Sequence, residues 1–156
     1  MRALSAVAMT LMLAACAHAG FERPPEIRFG ASAASLQQAL AGRCTQQRLR
    51  RIDPPFLNNV RDRQMQIDCE GYPFMGAGRH VEFVIRDDKL VMVWLMVRDE
   101  ETQAMIEAMT DAYGPPSRRN GDYVAFERRR AAWRNHPAEI LFWATELDAD
   151  LDENFR

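Results

Sequence analysis

Lysine is almost missing from this chain. Lys89 is the one example among 20 basic residues, and the rest of the positive charge is guanidinium. Charge of one sign is missing too: 20 basic residues face 22 acidic ones in 156, for a net −2. Such a balance provides no footprint for a polyphosphate backbone and argues against nucleic acid as a partner. Histidine is scarce, at three residues. No Gly-x-Ser-x-Gly, no His-Glu-x-x-His and no glycine-rich phosphate loop occurs; "GYPFMGAG" has the glycines but no Lys-Ser/Thr after them. The commonest hydrolase, metalloprotease and nucleotide-binding signatures are therefore absent, and we expect neither an enzyme nor a cofactor. Beyond residue 15 no apolar run approaches the roughly 20 residues of a spanning helix, so any membrane attachment must be N-terminal.

What is present begins at that end. Arg2 is followed by "ALSAVAMTLMLAA", Ala3 to Ala15. This run of about 13 residues is too short to span a bilayer and has the size of a signal-peptide h-region, so residues 1–15 are set aside from fold reasoning. Leu13-Ala14-Ala15-Cys16 resembles the bacterial lipobox at every position. The resemblance implies cleavage before Cys16, a diacylglycerol on its sulfur and an acylated new amino terminus; a thiolate is the nucleophile such chemistry needs. Ala17-His18-Ala19 before Gly20 satisfies the competing peptidase, which would release a soluble periplasmic or secreted protein. The expected location is the periplasmic face of a bacterial membrane, with residues 16–26 as a tether.

Three cysteines are an odd number for an oxidising compartment. Either cleavage leaves Cys44 and Cys69 as a pair, since Cys16 goes to the lipid or is removed. The bridge would close a loop of about 25 residues, for about 3.5 kcal/mol of stabilisation in the chain-entropy account. No Cys-x-x-Cys is present and neither cysteine has a histidine at ligand spacing, so a structural role is expected.

Along the mature chain, "FERPPEIRFG" reads as a proline-broken segment ending in a short edge strand, Glu26 to Phe29. Leu36, Leu40 and Cys44 recur at helical spacing after a Ser32 or Ser35 cap, with Gly42 at the end. Residues 45–63 show no period and contain Pro54-Pro55, which predicts a long loop. Met65, Ile67 and Cys69 alternate with polar residues, as do Val81, Phe83 and Ile85, and Asp87-Asp88-Lys89 supplies a turn. "LVMVWLMV" is apolar on both faces and must lie centrally with both sides covered. Asp99 caps a helix carrying Met105, Met109, Ala112 and Tyr113, which Gly114 and Pro115-Pro116 end. "YVAFE", "AAWR" and "EILFWATE" follow as strands. The order predicts α+β, an antiparallel sheet of about five strands with two helices packed on one face. The single domain spans 27–147, and 148–156 is an acidic tail that frays. The two halves could be a loose duplication of a helix followed by strands, though no residue-level repeat supports it.

A helix closing on Gly114-x-Pro116, followed by a strand bearing Trp133, resembles the SmpA/OmlA small envelope lipoproteins, relatives of the lipoprotein subunit of the outer-membrane β-barrel assembly machine. That resemblance implies an envelope interaction role and carries over no binding residue.

Arg128, Arg129 and Arg130 with Trp133 and Arg134 have the arginine-plus-aromatic character of an anion-binding face. Its targets would be an anionic envelope surface or an acidic patch on an envelope protein. Tyr72 and Phe74 are a second candidate contact pair, with capping of the core as the plainer role. His80 and His136 are expected to be ordinary exposed residues. Asp148-x-Asp150-x-Asp152 imitates a calcium loop, but Glu153 stands where that loop needs glycine, and no metal is expected. The reading that results is a non-catalytic binding or assembly lipoprotein of the cell envelope. The alternatives are a small inhibitor of a secreted hydrolase presenting residues 71–79, and an enzyme with an unrecognised site.

Overall fold

The computed structural model describes residues 20–156. The presequence, Cys16 and the first part of the expected tether lie outside the described residues.

Alternation decides the first three long strands. In β2 (Gln64–Phe74) and β3 (Ala77–Arg86), Ile67, Cys69, Val81 and Phe83 turn to one side and are buried. β4 (Lys89–Met96) follows through Asp87 and Asp88, both in the left-handed region at φ 50 and 60, the conformation a two-residue hairpin turn demands. The Asp87 carboxylate also accepts backbone N–H groups of Arg61, Asp62 and Arg63 at 2.8–3.3 Å, which pins the loop before β2.

The expected loop at 45–63 is half strand. β1 (Gln46–Ile52) pairs antiparallel with β2, from Gln46 opposite Glu70 to Ile52 opposite Gln64. Its Gln- and Arg-rich sequence has no buried face to set a period. The strand exists because β2 offers it a ladder, and its charge suits a sheet edge. The expected edge strand at Glu26–Phe29 does not form. The chain turns there, and Gly30 and Ala31 exchange backbone hydrogen bonds with Leu90 at 2.9 and 2.8 Å.

The second half repeats the plan. α1 (Ala33–Ala39) is capped by Ser32, whose hydroxyl accepts the Ser35 N–H. α2 (Thr102–Tyr113) is entered through a 3₁₀ turn at Asp99–Glu101 and ends at Gly114, φ 82. The Asp99 cap is not used; the Glu101 carboxylate accepts the Arg98 N–H instead. After α2 come β5 (Arg118–Arg119), β6 (Tyr123–Phe126), β7 (Ala131–Arg134) and β8 (Glu139–Trp143). The sheet order is β1-β2-β3-β4-β8-β7-β6-β5, antiparallel at every pairing. A helix followed by a four-strand meander thus occurs twice, and the last strands of the two units pair at the centre. The described residues form eight strands rather than about five, and three α-helices rather than two.

One face of the sheet carries α1 and α2. Leu36, Leu40, Met105 and Met109 pack there with Ile67, Phe83, Val93, Trp133 and Phe142. Phe21 joins them, edge-on to Phe74 at 5.7 Å and to Tyr113 at 5.2 Å, so the expected tether is docked from Phe21 onward. The Cys44–Cys69 disulfide ties the end of the α1 region to β2, with Cα atoms 5.4 Å apart. Beside it Gly71 occupies a bulge at φ 68, where a Cβ would lie 2.7 Å from the Thr45 side chain.

The other face is covered in part. The tail does not fray: it forms α3 (Asp148–Asp152), and Leu147, Leu151 and Phe155 are buried against Ala125, Ala132, Leu141 and Trp143. Its aspartates act as latches. Asp148 accepts the Trp143 indole N–H at 2.8 Å and pairs with Arg130, and Asp152 pairs with Arg118 at 2.7 Å. Near the other end of this face, Gln64 Oε1 accepts the N–H groups of Phe56 and Leu57 and holds the 53–63 loop down.

Candidate functional site

The arginine cluster does not form one surface. Strand alternation sends Trp133 to the helix side, where it is 0% exposed, with its indole N–H donated to Asn135 at 2.8 Å. Arg134 emerges on the opposite side. Arg128 and Arg129 lie in a 3₁₀ turn (Glu127–Arg129), and Arg129 sits 5.8 Å from the Tyr113 ring. Arg130 is neutralised by Asp148. The flat Arg/Trp face is therefore corrected to the exposed Arg128 and Arg129, with the Asp148-paired Arg130, around a groove of about 710 Å³ that Phe21 and Tyr113 also line and from which Trp133 and Arg134 are absent.

Tyr72 and Phe74 are likewise not surface contacts. Both are buried, because their positions on β2 face the helix layer. Tyr72 donates its hydroxyl to Glu26, and Arg43 pairs with Glu26 at 2.9 Å while lying 5.4 Å from the Tyr72 ring. Burial, and then the hydrogen bond to Glu26, push the phenol up to about 12. These residues cap the core. His136 is exposed in its turn.

The open part of the second sheet face brings together groups that are far apart in sequence. Asp68 and Glu82 are direct partners in the β2–β3 register. His80 lies two residues before Glu82, and Glu70 two after Asp68, so all four side chains project from the same face. His80 Nδ1 lies 2.6 Å from Glu70, and Nε2 lies 3.6 Å from Glu82. Arg50 of β1 donates Nε–H to Asp68 at 2.8 Å and approaches Glu82 at 3.9 Å. Gln66 donates its amide to the other Asp68 oxygen at 2.7 Å. One ligand atom from each of Asp68, His80 and Glu82 falls within 4.8 Å of the others, the one such His/Cys/Asp/Glu grouping among the described residues.

This strip continues across the seam. Trp94 is the β4 partner of Glu82, and the Arg134 guanidinium lies over its ring at 4.2 Å. Arg134 also contacts Glu139, which is 1% exposed. Burial raises the Glu139 carboxyl to about 7 against the opposing pull of Arg134, with the Glu82 charge adding to the rise. Beside Trp94 opens a cleft of about 340 Å³ lined by Phe56, Asn58, Met92, Trp94, Asp150 and Leu151 among others, with Asn58 donating to Asp150 at 3.4 Å. Phe56 is 57% exposed, the most open large apolar side chain among the described residues.

Sequence reasoning passed over this strip although its signal was there. The alternation that turns Ile67, Cys69, Val81 and Phe83 inward must turn Asp68, Glu70, His80 and Glu82 outward. What the pattern lacked was the pairing of β2 with β3 in register and the bareness of that face.

Fold and surface together define an α+β protein with a duplicated helix-plus-meander unit and one partly open sheet face. No family model, curated protein or solved structure matches the chain. The SmpA/OmlA resemblance thus rests on Gly114, Pro116 and Trp133 alone. Among the described residues no helix is long and apolar enough to cross a membrane.

Proposed function

We propose that this is an exported, lipid-anchored cell-envelope protein that works by binding, and that it takes a segment of an envelope protein on the open sheet face. The observation that carries the reading is the cleft between the 53–63 loop and α3. It is lined by the exposed Phe56 side chain and the Trp94 ring, together with Asn58, which donates to Asp150 at 3.4 Å, and Arg134, which pairs with Glu139. Central aromatic and arginine anchors ringed by polar groups are what protein-binding sites concentrate. The lipobox resemblance of Leu13-Ala14-Ala15-Cys16 supports the anchoring, and the Cys44–Cys69 bridge is compatible with export.

A second reading, inhibition of a secreted hydrolase, draws on the β2–β3 hairpin tip. Met75 and Gly76 both have positive φ there, and Met75 is exposed, so the tip is short and stiff. It is less favoured because Phe74, next to the tip, is spent on the core.

The test is site-specific photocrosslinking in intact cells. A crosslinker at Phe56 is expected to give one dominant adduct that Trp94→Ala abolishes, while a crosslinker at Gln103 on the outer side of α2 gives none. Equal labelling from both positions, or none from Phe56, overturns the cleft as the binding surface. In the same cells, Cys16→Ser is expected to abolish palmitate labelling and membrane fractionation, and unchanged labelling would remove the anchor.

A further inference from the structure

We propose that Asp68, His80 and Glu82 bind a divalent transition-metal ion of the zinc class, with Arg50 occupying the site in its place when the metal is absent. The proposal stands independently of the docking cleft.

The donor set is one imidazole nitrogen and two carboxylate oxygens. A metal with ligand bonds of about 2.1 Å places tetrahedral donors roughly 3.4 Å apart. His80 Nε2 and Glu82 Oε1 are already 3.6 Å apart, and all three donor atoms lie within 4.8 Å of one another. Small side-chain rotations close the remainder, with no demand on the backbone. The backbone is itself well fixed, because Asp68 and Glu82 are paired residues of neighbouring antiparallel strands.

The surrounding groups orient the donors. Glu70 engages His80 Nδ1 at 2.6 Å, which holds the Nδ1–H tautomer and leaves Nε2 with its lone pair toward Glu82. A carboxylate on the far nitrogen is the usual outer-shell partner of a metal-binding histidine. Gln66 holds one Asp68 oxygen at 2.7 Å and so directs the other. His80, Asp68 and Glu82 are each half-buried, so water has room to complete the coordination.

Charge points the same way. Asp68 and Glu82 converge on one guanidinium, that of Arg50, and Glu70 adds a third carboxylate against His80. Arg50 rests on the same two carboxylates a metal would take, and its side chain is 37% exposed, so it has solvent to move into. An imidazole with only two carboxylates suits zinc and its neighbours in the first transition row. Calcium and magnesium prefer all-oxygen shells.

The experiment uses the full chain with the disulfide intact and Cys16→Ser, which removes the thiol outside the bridge. Zinc chloride is titrated calorimetrically, and the histidine ring nitrogens are followed by NMR. Expected are one zinc per chain with micromolar affinity and a shift of the His80 Nε2 resonance, while His136 stays still. His80→Ala and Glu82→Gln should each weaken binding at least tenfold. Arg50→Gln should strengthen it several-fold, an effect that a merely structural role for Arg50 would not produce. Near-UV circular dichroism checks that each variant is folded. No binding at 100-fold excess zinc, binding that survives His80→Ala, loss of binding on His18→Ala or His136→Ala, or weaker binding in Arg50→Gln overturns the proposal.

Discussion

Glu139 shows how one residue sets a pH response for the molecule. Its carboxyl is buried against Arg134, and burial holds its protonation near pH 7, against 4.5 for an ordinary glutamate. Between those two values the folded state keeps a proton that the unfolded chain releases, so folding is favoured as the pH falls through that window. A tenfold difference in proton affinity is worth about 1.4 kcal/mol, and the gain from pH 8 to 5 is on the order of 2–3 kcal/mol. Glu101 acts with the opposite sign. Its hydrogen bonds to the buried Arg79, and then to Arg98, hold it well below the usual carboxylate range, so its stabilisation is present above about pH 4.5 and is lost in acid. Thermal unfolding in chelator from pH 4.5 to 8.5 should show the melting temperature rising as pH falls toward 5, and Glu139→Gln should flatten that slope. An identical slope in the variant contradicts the burial argument. None of this could be read from "NHPAEI", where Glu139 looks like any polar residue opening a strand. Its burial comes from Arg134 and from β4 on its other side.

At the scale of elements, the instructive contrast is between α2 and the tail. α2 was legible because Met105 and Met109 repeat at helical spacing and Gly114 with its prolines stops the chain. The tail reads as solvated acid, yet Leu147, Leu151 and Phe155 lie at four-residue intervals among the aspartates. That stripe becomes a buried face only once Trp143, Leu141 and Ala132 offer a surface to receive it. Phe155 lies 5.3 Å from the Trp143 ring and 5.4 Å from Tyr123. Phe155→Ala should therefore cost about 3 kcal/mol in urea denaturation, the scale of a large-to-alanine change in a core. A cost below about 0.5 kcal/mol would mean that the tail is not docked in solution. β1 makes the same point from the other side: Gln and Arg carry no period, and only the edge of β2 makes them a strand.

For the whole molecule, the seam between β4 and β8 is the decisive feature. The core on the helix side runs through both units without a break, from Ile67 and Phe83 through Val93 to Phe142, Trp133 and Val124. Neither unit closes its own core, since β4 without β8 would leave Val93 and Leu95 beside an open edge. Unfolding should accordingly be one transition. Far-ultraviolet circular dichroism and the fluorescence of Trp94, Trp133 and Trp143 should give coincident urea curves. Two separated transitions would show that the units fold apart.

The amino-acid sequence alone determined the pairing of Cys44 with Cys69, because no third cysteine follows the lipobox-like start. It determined the α+β class, the inward faces of β2 and β3, the turn at Asp87-Asp88 and the stop at Gly114. These are matters of parity, short-range period and backbone sterics, which a few neighbouring residues suffice to set. Tertiary structure alone decided that the described residues form eight strands, that these join across β4 and β8, and that the tail folds over part of one face. It also decided that Asp68, His80 and Glu82 meet there beside Arg50. Those outcomes depend on register between segments distant in the chain, and on which surfaces remain uncovered once the two sides of the core are filled.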